Sequence, residues 1–189
     1  MNRSIVLAAS AALATAALAC GDGGACGPGD APADGVTAAI DGAPVAYGNF
    51  TASANNDCTP PGAAIVSLTV DAVQVAPAPT GAFAPHLTLC IPRPDAVGDA
   101  PATLGLDDDA DIRLVDLNAQ VDDCAVALDR TAPVDATATL AGYCDDGAHP
   151  AGFAIALAGT VAVTRDCGGV VTAATATLGG RAAVAALSP

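Results

Sequence analysis

From Val36 to the end, the apolar side chains follow a period of two in run after run, and no other feature constrains the fold so tightly. In Ile65–Val75, Val66, Leu68 and Val70 share one face, while Ser67, Thr69 and Asp71 share the other. His86–Ile91 sets Leu87, Leu89 and Ile91 together. Phe153–Thr164 does the same for Phe153, Ile155, Leu157, Val161 and Val163, and Gly159 in its middle predicts a bulge or bend. A period of two belongs to a strand with one buried face, whereas a helix needs 3.6. Val170–Leu178 and Arg181–Leu187 continue the pattern on either side of Gly179-Gly180. Asp166-Cys167-Gly168-Gly169 predicts a hairpin turn before them. Shorter strands are expected over Val36–Asp41, Val45–Ala54, Ile112–Leu117 and Cys124–Asp129. Turn signals recur about every ten residues, which points to an antiparallel β-sandwich or barrel-like single domain over 36–189.

Composition agrees once alanine is accounted for. The 48 alanines favour helix by propensity alone, yet they alternate with Val, Thr and Leu, and no helical stripe outlasts two turns. Every acid is Asp and every base is Arg, with no Glu, Lys or Trp, so the usual material of surface helices is missing. The 20 acidic against 6 basic side chains give a net charge of −14, and no basic run interrupts the acidity. Nucleic acid is therefore excluded as a partner, since it demands Lys or Arg to neutralise phosphates.

The first 20 residues, MNRSIVLAASAALATAALAC, place one positive charge, Arg3, before an apolar stretch from Ile5 to Ala19. That stretch has the length of an export-signal core and is short for a span of roughly 30 Å of hydrocarbon. It closes in Ala17-Leu18-Ala19-Cys20, with Ala17 at the position where Leu is preferred. This segment resembles a bacterial lipoprotein signal, which implies that 1–19 is removed and Cys20 becomes the lipidated N-terminus. Gly21 rather than Asp follows Cys20, and by the same resemblance this implies outer-membrane anchoring. The next residues, 21–35, are almost wholly Gly, Ala, Pro and Asp, so 20–35 is expected to be a flexible lipidated tether.

Cysteine arithmetic supports export. Of seven cysteines, lipidation of Cys20 leaves Cys26, Cys58, Cys90, Cys124, Cys144 and Cys167, an even set suited to three disulfides. Fifteen connectivities are open. One local pattern suggests a pair: Ala125–Asp129 and Ala136–Tyr143 flank a Pro-containing turn, and folding them as a hairpin sets Cys124 opposite Cys144. No C-x-x-C occurs, and the spacing of His86 and His149 from cysteines is poor for zinc.

Val36-Thr-Ala-Ala-Ile-Asp-Gly-Ala-Pro44 resembles the opening strand and Ile-Asp-Gly turn of small, uncharacterised bacterial lipoprotein β-domains. Ala158-Gly-Thr-Val-Ala-Val-Thr164 with the strand after it resembles their closing hairpin. The resemblance implies a lipid-anchored all-β layout over Val36–Leu187 and brings no catalytic residues with it.

Material for catalysis is sparse. Beyond the signal segment stand two histidines, His86 and His149, and three serines, Ser53, Ser67 and Ser188, none in a G-x-S-x-G turn. Both histidines read as solvated edge or loop residues and Ser67 as a surface hydroxyl. A glycan platform would need exposed rings, and Tyr47, Phe50, Phe83, Tyr143 and Phe153 are the whole supply. The most distinctive polar run is Asp107-Asp108-Asp109-Ala110-Asp111. Asp107, Asp109 and Asp111 occupy the first three ligand positions of a calcium loop. Ile112 then replaces the turn glycine and Asn118 the bidentate Glu, while Asp122-Asp123 and Asp145-Asp146 stand by as further ligands.

The reading that follows is an envelope lipoprotein, exported and outer-membrane anchored, on the periplasmic or cell-surface side. It displays a non-catalytic β-domain, with the membrane and an unidentified protein or glycan as partners and no cofactor. The alternatives are a weak calcium-dependent adhesion or ligand module using Asp107–Asp111, and a small hydrolase using His86 or His149.

Overall fold

The computed structural model describes residues 26–55, 58, 67–81, 84–144 and 152–186. Among them the strands are β1 (Val36–Ile40), β2 (Ala43–Asn55), β3 (Ser67–Ala76), β4 (His86–Ile91), β5 (Ala102–Gly105), β6 (Ile112–Val121), β7 (Cys124–Leu128), β8 (Asp135–Ala141), β9 (Phe153–Cys167) and β10 (Val170–Ala186). A single helical turn, α1 (Pro94–Val97), lies between β4 and β5. The short α1 and β5 were not anticipated by the alternation. β5 holds its place through two residue pairs to β6 and two to β8.

Pairing runs antiparallel from β1 through β2, β3, β4, β6, β7, β9 and β10, and β10 pairs back onto β1. The sheet therefore closes on itself as a barrel-like ring, which removes most open edges. At one place the ring widens, where β5 and β8 bridge from β6 to β9 beside β7. The inward faces are those set by the alternation: Leu87, Leu89 and Ile91 on β4, and Phe153, Ile155, Leu157, Val161 and Val163 on β9, are all buried. Each such large side chain contributes about 1.5–3 kcal/mol on burial. Ala38, Ala52, Ala138, Ala176 and Ala182 fill the space between them, so the alanines serve as small core residues of strands.

Several particulars differ from the sequence reading. Ser67, placed outward by alternation, is fully buried, and its hydroxyl donates to the Asn55 carbonyl at 2.8 Å. β10 runs unbroken through Gly179-Gly180. Gly180, at φ +99°, is needed because the Gly35 carbonyl crosses where its Cβ would stand. Over its described part, 26–35, the segment read as a tether is fastened to the sheet. Gly27 N–H donates to the Gly142 carbonyl at 2.9 Å, and Ala183 N–H to the Pro32 carbonyl at 2.7 Å. Arg181 reaches Asp30 and the Pro28 carbonyl, each at 3.4 Å. Residues 26–35 thus belong to the folded body together with the strands.

The disulfides are Cys26–Cys144, Cys58–Cys90 and Cys124–Cys167, with Cα separations of 5.5, 6.0 and 4.4 Å, all within the bridgeable range. Cys124 does not join Cys144. β7 lies against β9, with Ala125 opposite Asp166, so Cys124 comes beside Cys167. Ile65 and Val66 lie outside the described residues.

Candidate functional site

The histidine that can be placed, His86, opens β4 directly after Pro85, whose carbonyl accepts the Gln74 N–H at 2.8 Å. Across the ladder, the β4–β6 register shifts by one between Thr88 and Leu89. The extra residue, Val115, has no counterpart on β4, and its freed carbonyl accepts a hydrogen bond from the Arg130 guanidinium. Such a bulge re-aims the neighbouring side chain. Asp116 turns so that its Oδ1 accepts the Leu117 N–H at 2.9 Å, and its Oδ2 accepts Asn118 Nδ2 at 2.9 Å. That same Oδ2 stands 3.3 Å from His86 Nε2. Behind it, inside the barrel, the Tyr47 hydroxyl donates to the Asn118 carbonyl at 2.7 Å. Burial, and secondarily the Asp116 charge, push the Tyr47 hydroxyl well above its ordinary pKa of 10.0.

The His86 and Asp116 side chains are 34% and 32% exposed, so water screens the pair, worth about 0–1 kcal/mol at such a site. No nucleophile is aligned with it among the described residues. The Thr88 hydroxyl donates to Asp71 Oδ1 at 2.6 Å, and so answers to a different carboxylate from the imidazole. Ser53 and Ser67 are both engaged with Asn55, and the six described cysteines are all in disulfides. His149, Ser188, Cys20 and Phe83 lie outside the described residues.

Beside this pair lies a cleft of about 300 Å³, lined by Pro85, Asn118, Gln120, Asp123 and Val126 among others. Sequence reasoning passed over Gln120, which lines it, and Gln74, which is bonded to Gln120. Gln74, buried at 5% exposure, donates to the Pro77 and Gln120 carbonyls at 2.7 and 2.9 Å and accepts the Gln120 N–H at 2.8 Å. The Gln120 side chain in turn bonds both the N–H and the hydroxyl of Thr80 at 2.7 Å. This fully satisfied network latches the segment after β3 to β6. The available signal is that the chain's two glutamines each stand within an apolar strand.

Asp107, Asp109 and Asp111 are exposed on the loop between β5 and β6, and Asp108 pairs with Arg113. Among the described residues no three His, Cys or Asp side chains converge as a metal site. Asp122 pairs with Arg165 at 3.5 Å, and Asp123 is exposed beside it. Asp145 and Asp146 lie outside the described residues. Of the rings, Tyr47, Phe50 and Phe153 are in the core, and Tyr143 packs edge-on against Phe153 at 5.7 Å. No known protein family, curated protein or solved structure matches this chain.

Proposed function

We propose that this chain is an exported, lipid-anchored protein of the bacterial envelope whose disulfide-braced β-domain has a structural or binding role and no catalytic activity. The observation that carries the reading is the cysteine pairing. Six of seven cysteines join in three disulfides, which by subtraction leaves Cys20, at the end of the apolar leader, for the lipid. Three disulfides suit an oxidising compartment outside the cytosol. They also suit a core in which alanines stand between the larger side chains, since each alanine gains less from burial than a larger residue would.

The test is expression of the full chain and of Cys20→Ser in a bacterial host, with membrane fractionation and mass analysis of the N-terminal peptide. The reading expects a mature chain beginning at Cys20 with acyl chains attached, found with the membranes, and a soluble Cys20→Ser variant. An unacylated mature N-terminus, or a Cys20→Ser chain that stays with the membranes, would overturn it.

A further inference from the structure

The ring of strands leaves one stretch of β10 paired on one side only. β1 covers residues 176–180 of β10, while 170–175 have only β9 beside them. Backbone directions along this stretch follow from its base. Thr175 turns its N–H and carbonyl away from β9, toward Asp41, whose carboxylate accepts the N–H at 3.4 Å and whose own N–H donates to the carbonyl at 3.1 Å. With a period of two, the N–H and carbonyl of Val171 and Ala173 face the same way. No hydrogen bond reaches those four groups among the described residues.

Natural edges are usually blunted by charge, proline or a bulge. Val170-Val171-Thr172-Ala173-Ala174-Thr175 has none of these, and Val170 and Val171 are 65% and 63% exposed. The stretch is also held rigid. Gly168 and Gly169, at φ +66° and +92°, close a two-residue turn, and Cys124–Cys167 ties the β9 side of that turn to β7. A preformed edge loses little conformational freedom when a strand is added to it.

We infer that the β10 edge from Val170 to Thr175 binds an extended peptide segment, uncharged and β-branched at its centre with basic residues at its ends. The inference rests on the binding reading above and names the site and chemistry of the partner. Charge selects that occupant. Asp41 brackets one end of the edge, and Asp166 stands one strand behind the other end, on β9 opposite Val171, its carboxylate accepting the Gly169 N–H at 2.7 Å. The neighbouring cation, Arg165, is engaged by Asp122. Lysines or arginines flanking an added strand would face these carboxylates, while the open N–H and carbonyl groups would pair with its backbone. A second copy would instead set Asp41 and Asp166 against themselves, between chains each carrying −14.

The test uses the full oxidised chain in detergent and two labelled synthetic peptides of alternating valine and threonine, one ended by lysines and one by aspartates, followed by fluorescence anisotropy. The lysine-ended peptide is expected to bind at least tenfold more tightly, by a margin that narrows with salt, and to protect the Val171 and Ala173 amides from exchange. Val171→Pro removes an outward N–H that β9 does not use, so the melt should persist while affinity falls tenfold or more. Ala173→Pro repeats the test one period on, should the first variant not fold. Equal affinity in a folded proline variant, no binding of the lysine-ended peptide, or dimers that this proline dissociates would each overturn the inference. Attachment through Cys20 is read separately, by fractionation, so either conclusion can fail alone.

Discussion

Two short connections invite a hairpin, Gly168-Gly169 between β9 and β10 and residues 129–134 between β7 and β8, and the chain takes them in opposite ways. The two glycines hold positive φ, the geometry whose twist matches paired strands, and β9 and β10 then run side by side in one register from Cys167–Val170 to Phe153–Val184. The six-residue connection does not reverse the chain. β7 pairs with 163–166 of β9 and β8 with 154–160 of the same edge, so the two lie end to end. Asp129 even continues the ladder, its N–H donating to the Ala162 carbonyl at 3.0 Å, before its carboxylate turns the chain by accepting the N–H and hydroxyl of Thr131. A Pro-containing polar segment between two apolar runs is here an excursion from one long strand path. The cysteines follow: Cys124 meets Cys167 across the β7–β9 pair, and Cys144 is left to fasten Cys26.

The comparison breaks most forcefully at Gly159, where β9 passes from β8 to β7. It sits at φ +123°, and a Cβ there would run into the Asp135 carbonyl and the Ala136 Cα. Gly159→Ala should cost about 3–5 kcal/mol by urea denaturation of the oxidised chain, from strain and backbone clash together. Replacing Cys124 and Cys167 together with serine releases a constraint across 43 residues, and a loss of about 2–4 kcal/mol is expected in the same assay.

Tyr47→Phe touches neither connection and leaves the Asn118 carbonyl without its donor, at about 1–3 kcal/mol. Because the folded state holds the Tyr47 proton more tightly than the unfolded state does, stability should fall as pH rises above 10.0 in the wild type. The Phe variant should show a shallower fall. Gly168→Ala sharpens the contrast with Gly159: its φ is also positive, but nothing stands within 4 Å of the added Cβ. Only the left-handed backbone is penalised, at about 1–2 kcal/mol.

The smallest effect belongs to Asp129, whose carboxyl is held below its ordinary 3.8 by the hydroxyl and then the N–H of Thr131. Its contribution is present above pH 3.8 and lost as pH falls through the lowered value. Asp129→Asn should flatten the acid limb of a melting-temperature profile.

These outcomes mark where the sequence can be read directly. Period two and paired glycines are local, and they place β4, β9 and the β9–β10 turn almost to the residue. Gly179-Gly180 carries the same letters as a strand break, but its role depends on residues 32–36 crossing β10, some 145 positions away in the chain. Ser67 was misread because its burial rests on the Asn55 carbonyl, which alternation does not reveal. In the candidate site His86 was legible as a strand start. Its partner Asp116 was not, since the pair depends on the bulge at Val115, a property of β4–β6 register. The glutamine latch is likewise made by register.

The end-to-end placement of β7 and β8 along β9 is tested most directly by mapping the disulfides. Trypsin cuts after Arg113, Arg130, Arg165 and Arg181, which puts Cys124, Cys144 and Cys167 on separate peptides, 114–130, 131–165 and 166–181. Digestion of the unreduced chain should link 114–130 to 166–181, and 131–165 to the peptide carrying Cys26. A link between 114–130 and 131–165 would mean that β7 and β8 form a hairpin after all, and the account of this fold would be contradicted.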